Sequence, residues 1–181
     1  MFTNILSLNF FELFEIPVGY DIDLNLLQQK YTALQQAVHP DKFASAGDQE
    51  KRLSMQQTSH INEAYQTLKD PVARALYLLR LKGMDIDFDN ETTMDMDFLM
   101  EQMAMREKMA DIRQHDDPLA QLDTLTEEVN GKMATLTQDF ARAYQQDKLD
   151  AARELIRKMQ FMQKAKKEVG ELSASLEDEL L

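Results

Sequence analysis

Apolar residues recur at helical spacing along almost the whole chain, and no stretch alternates in the manner of a strand. Residues 9–16 (NFFELFEI) predict a short apolar helix closed by Pro17. Leu27, Tyr31, Leu34 and Val38 fall at i, i+4, i+7 and i+11, which predicts a helix from Leu24 to about Val38 with Asp23 as its cap. Pro40 stops it, and residues 42–47 read as loop. A long helix follows from about Asp48 to Lys69, with Leu53, Ile61, Ala64, Tyr65 and Leu68 as its stripe. Asp70-Pro71 restarts the chain, with proline at a first-turn position, and residues 72–82 form another amphipathic helix. Gly83 and the acidic, helix-poor residues 84–93 mark a boundary. Helical patterns then cover about 95–114, 119–145 and 148–178, with short junctions at Asp116–Pro118 and Gln146–Asp147. Short junctions make sequential helices antiparallel, giving an up-down-up bundle. Gly131 and Gly170 fall inside two of these patterns, where a glycine weakens a helix. The expected fold is all-α: a helical hairpin with flanking helices over 1–83, a linker over 84–93 and a three-helix bundle over 94–181, in an L-like arrangement.

Composition supports this and narrows the function. Glycine and proline together number nine in 181 residues, so breakers are few. The net charge is -12. Nucleic acids and anionic membranes attract clustered Lys and Arg, so an acidic chain argues against both as partners. The charge is uneven: residues 1–83 carry 8 basic and 9 acidic side chains, and residues 84–181 carry 12 and 23. Two surfaces of such different charge suit two partners, although an acidic surface also serves solubility alone. The absence of cysteine excludes disulfides, thiol catalysis and thiolate metal sites. The first residues, MFTNILSLNFFELF, lack a basic region and a small-residue cleavage site, and no run approaches the ~20 apolar residues of a membrane span. A soluble, cytoplasmic protein is expected.

Two places carry candidate chemistry. His39-Pro40-Asp41 sits at the junction of the two-helix hairpin, where the proline forces a turn and presents an imidazole and a carboxylate at a tip. Such a tip suits docking on a partner, with Asp41 able to pair with a partner's Arg. An acid/base pair with His60 as helper is the enzymatic alternative, but no nucleophile, glycine-rich loop or second carboxylate has fitting spacing nearby. His60 itself reads as a surface or core-edge residue, and His115 as a helix-end residue.

The second place is the helix DMDFLMEQMAMREKMADI (95–112). At 100° per residue, Phe98, Met105, Met109 and Ile112 share one face. Met96, Leu99, Met100 and Met103 share the opposite face, with Glu107 continuing it. A three-helix bundle buries one stripe, so the other is expected at the surface as an interface suited to flexible, polarizable Met. On the last helix, Ala152, Leu155, Ile156, Met159 and Met162 form the core stripe, and Phe161 lies off it.

These motifs are similar to those of a known family. The helix, His39-Pro40-Asp41, loop and second helix with Ile61-Asn62-Glu63-Ala64-Tyr65-Gln66-Thr67-Leu68 resemble a J domain from about Asn9 to Lys82. Phe98-Leu99-Met100-Glu101-Gln102, Arg106-Glu107 and Arg157-Lys158-Met159-Gln160-Phe161 resemble the C-terminal domain of the HscB family. Those proteins are J-type co-chaperones of iron–sulfur cluster assembly. The segments from His39 to Ser45 and from Ala73 to Leu79 are similar to the same family. The chain lacks the cysteine-rich N-terminal extension that eukaryotic relatives can carry, so the bacterial type is the one it resembles.

The resemblance implies a non-enzymatic co-chaperone without cofactor or metal. His39, Pro40 and Asp41, with Lys30 and Lys42, would contact an HscA-type ATPase chaperone and stimulate its ATP hydrolysis. Leu99, Met100, Met103, Glu107 and Phe161 would bind the scaffold protein IscU. The alternative within the same class is a general J-protein delivering unfolded clients to DnaK. Two departures stand out. The helix before His39 carries Gln28, Gln29, Gln35 and Gln36 where many J domains have basic residues, leaving Lys30 as its one cation, which points to weak charge steering and a dedicated partner. Ala104 stands where a glutamate beside the second patch is expected.

Overall fold

A computed structural model describes residues 5–39, 47–86 and 95–179. The described residues contain helices α1 (Phe10–Leu13), α2 (Leu24–Val38), α3 (Asp48–Lys69), α4 (Pro71–Leu81), α5 (Met96–Asp111), α6 (Pro118–Gln145) and α7 (Leu149–Glu179), and no strand. The chain divides into two compact units, Met1–Gly83 and Met84–Leu181. The segment expected as a linker lies from residue 87 onward outside the described residues.

In the first unit α2 and α3 form the hairpin, and α1 and α4 both pack on α3. Leu27, Ile61, Ala64, Leu68, Leu78 and Leu79 are fully buried. The α3 stripe differs from the expected one at its N-terminal end. Leu53 is exposed, and Ser54 occupies the buried position because its hydroxyl is consumed by a carbonyl of α2. Helix α1 is shorter than the apolar run 9–16. Asn9 and Glu12 form a capping box at its start. It ends before Pro17 because Glu15 adopts φ 52, so the Ile16 N–H donates to the Phe11 carbonyl and the Glu15 N–H to that of Glu12. That is a Schellman cap, sealed by the buried Phe11 and Ile16.

Asp23 caps α2 through its carboxylate, as expected, and Asp70 caps α4 in the same way. Arg74 is buried yet served twice. Its guanidinium donates to the Leu68 carbonyl at 2.9 Å, near the end of α3, and stacks over the Tyr20 ring at 4.9 Å. Burial raises the Tyr20 hydroxyl above its ordinary pKa, with Arg74 opposing the shift.

In the second unit α6 and α7 pack along their lengths as an antiparallel pair. The turn between them is another Schellman cap, with Asp147 at φ 54 and the Lys148 N–H donating to the Ala143 carbonyl at 2.9 Å. Met105 and Ile112 join Leu122, Leu125, Val129 and Val169 in one core. Gly131 and Gly170 do not interrupt their helices, since packing along α6 and α7 outweighs a single glycine's propensity cost. Among the described residues, no helix is long and apolar enough to cross a membrane.

Both glycines are exposed, and a Cβ added at either meets nothing within 4 Å. Gly131→Ala and Gly170→Ala are therefore expected to stabilise the protein by about 0.5–1 kcal/mol each. A lowered urea midpoint for either variant contradicts this account of the helix interiors.

Candidate functional site

The first candidate surface is the C-terminal end of α2. His39 is its C-cap residue and is exposed. Pro40, Asp41 and Lys42 lie outside the described residues. What holds this end in place is Ser54 of α3, whose buried hydroxyl donates to the Val38 carbonyl at 2.6 Å. The bond satisfies a carbonyl at the helix terminus and ties the residue before His39 to the opposite helix. His39 then borders a shallow open groove with Thr32, Gln35 and Gln36.

The glutamines of α2 divide into two pairs. Gln29 and Gln36 are exposed. Gln28 accepts a hydrogen bond from the Tyr65 hydroxyl, and Gln35 donates to Tyr31 and, at 3.0 Å, to Asn62. Tyr31 also donates to Asn62 at 3.0 Å and stacks on Tyr65 with ring centroids 4.0 Å apart. Gln28 and Gln35 therefore fasten the hairpin, a role that sequence reasoning missed. Their spacing of seven, flanking the Tyr31 line, was the available signal. Lys30 is occupied as well: it pairs with Glu15, and that hydrogen bond holds the Glu15 carboxyl below its ordinary range. With its one cation paired inside the unit, α2 offers little free positive charge.

His60 lies at the core edge, edge-on to Phe10 with ring centroids 5.6 Å apart, and its Nε2 is enclosed without a hydrogen-bond partner. His115 is exposed at a helix end. Among the described residues no group of three or more His, Asp or Glu side chains is placed to hold a metal ion.

The second candidate surface is α5. Phe98 and Met105 are buried, as is Ile112 just after the helix, while Met96, Met100, Met103 and Glu107 are exposed and Leu99 is half-buried. The helix thus presents an apolar outer face. Its start is clamped by Asp95, which caps the Phe98 N–H at 3.0 Å and takes the Lys158 ammonium of α7 at 2.7 Å. The Lys158 hydrogen bond is the leading cause that holds the Asp95 carboxyl below its ordinary range. Lys108 pairs with Glu128 at 2.6 Å and fixes α5 to α6.

Phe161 is half-buried, as Leu99 is, and meets the Phe98 ring edge-on at 5.6 Å while packing against the core. It buttresses α5 from α7, because the helix is held close enough for the two rings to touch. Ala104 is exposed on α5.

Two helical units, one with His39 at the end of α2 and one with an exposed apolar face on α5, mark a J-domain protein. The model of the DnaJ domain matches residues 9–77, and that of the HSCB C-terminal oligomerisation domain matches residues 94–170. The co-chaperone protein HscB homolog of Shewanella halifaxensis is 42% identical over 175 residues, which is 94% of this chain and 100% of the relative. That of Shewanella baltica is 40% identical over 174 residues, with the same coverage. Among solved structures, chaperone HscB from Vibrio cholerae has a TM-score of 0.85 at 38% identity, covering 96% of this chain and 100% of that one. Human co-chaperone protein HscB has a TM-score of 0.84 at 30% identity, covering 91% and 81%. The chain belongs to the HscB family of J-domain co-chaperones.

Removing the Ser54 hydroxyl leaves the Val38 carbonyl without its buried donor. Ser54→Ala is expected to cost about 1–2 kcal/mol, read as a lower urea midpoint, with Ser54→Thr closer to the parent. Equal midpoints for Ser54→Ala and the parent would show that the bond does not hold the end of α2.

Proposed function

We propose that this co-chaperone couples an HscA-type ATPase chaperone to an IscU-type scaffold during iron–sulfur cluster assembly. The tip His39-Pro40-Asp41, with Lys42 beside it and Lys30 on α2, engages the ATPase. The α5 face of Leu99, Met100, Met103 and Glu107, with Phe161 of α7, engages the scaffold. ATP hydrolysis belongs to the partner, and the cluster remains on the scaffold. This chain contributes contacts only, and it works in the cytoplasm.

The observation that carries the proposal is the two-faced helix. One stripe of α5 closes the bundle core and the other is left exposed beside a glutamate without an ion pair among the described residues. Exposed apolar area of this kind on a charged rim suits a folded partner. Joining that face to a J domain raises the effective concentration of scaffold at the ATPase without any new contact. The pairing of Lys30 with Glu15 favours an ATPase recognised by fit over one steered by charge.

Steady-state ATPase rates of HscA and of DnaK, each with this protein and with or without scaffold, test the reading. Scaffold-enhanced stimulation of HscA is expected, and its loss with His39→Gln. Equal stimulation of both chaperones would favour the general J-protein that delivers unfolded clients to DnaK.

A second measurement addresses the α5 face. Leu99→Ser combined with Met103→Ser is expected to weaken scaffold affinity by about tenfold or more, while HscA stimulation without scaffold persists. Phe161 is left intact because its substitution would open the core. An unchanged scaffold affinity would place the binding surface elsewhere.

A further inference from the structure

The α5 face is built largely from thioethers, and their exposure separates them from the other methionines among the described residues except Met55 of α3. Met96, Met100 and Met103 are 66%, 65% and 63% exposed, whereas Met105 on the opposite face of the same helix is 2% exposed. Met159 and Met162 are buried in the bundle. Leucine is similar to Met in volume and would supply comparable apolar area at these positions. What Met adds is a sulfur lone pair that solvent-borne oxidants can reach.

A hydroperoxide transfers its terminal oxygen to such a sulfur. The S–O bond forms as the O–O bond breaks; the sulfide loses two electrons to become a sulfoxide, and hydrogen peroxide is reduced to water. The product is polar and accepts hydrogen bonds, so a partner that covers it must strip its water. The buried face of α5 is shielded from the same reaction, and with it the core that holds the helix in place.

We propose that Met96, Met100 and Met103 form an oxidation site at which hydroperoxides switch off docking on α5 while the fold is kept. Methionine sulfoxide reductases return the thioethers and restore docking. The proposal rests on the scaffold-binding role assigned above to this face.

The test treats the full chain with hydrogen peroxide, maps added oxygen by peptide mass spectrometry and titrates an IscU-type scaffold. Oxygen is expected at Met96, Met100 and Met103 before Met105, Met159 and Met162. Scaffold affinity is expected to fall by about tenfold and to recover after reductase treatment, with the helical circular dichroism signal unchanged throughout. In the variant M96L/M100L/M103L, peroxide is expected to leave that variant's own affinity where it started.

Full affinity in protein oxidised at all three positions overturns the proposal, as does an equal loss in the leucine variant. A loss accompanied by falling helical signal also overturns it, since buried methionines would then be the target. The Leu99→Ser and Met103→Ser pair probes the same face without oxidant. A weakened serine variant beside an oxidised protein of full affinity ends this proposal alone; an unaffected serine variant ends both.

Discussion

An antiparallel helical hairpin is the foundation of each unit, and every other element is placed by what that hairpin leaves uncovered. In the first unit the stripe Ile61, Ala64 and Leu68 of α3 is shared by α1, α2 and α4. In the second, α6 and α7 bury Val129, Ile156 and Met162, and α5 is added through Phe98 and Met105, with Ile112 just after it. A helix with one apolar stripe cannot bury it alone, so short helices such as α1 owe their stability to packing and caps. Asn9, Asp23, Asp70, Asp95 and Asp117 each cap a helix with a side-chain oxygen, which fixes where these elements begin.

Both candidate surfaces are by-products of that arrangement. The end of α2 is held by a buried hydroxyl on its neighbour, so His39 is presented from a fixed helix terminus. The outer face of α5 is left open because the bundle has one core and the helix has two apolar stripes. Binding surfaces of this kind are positioned by interactions that do not touch the partner. Ser54, Asp95 and Lys158 belong to that supporting set.

Much of this was legible in the residues. Helix positions, the Asp23 cap and the two-faced character of 95–112 follow from spacing and turn chemistry, because period and capping are local properties. The surface role of Leu53 and the burial of Ser54 were not legible. Both lie near the core stripe of α3, and which one turns inward depends on where the end of α2 falls. Gln28 and Gln35 looked like replacements for basic docking residues, yet they bond across the hairpin, and only the pairing of α2 with α3 reveals it.

The sequence alone determined an all-α chain in two parts, the His39-Pro40-Asp41 junction and the opposed stripes of α5, since each depends on residues close together along the chain. The tertiary structure decided which stripe faces water, that Phe161 stands behind α5 beside Phe98, and that Lys30 is occupied by Glu15. These outcomes depend on partners distant in sequence, and a side chain's environment is set by what packs against it, which periodicity does not encode.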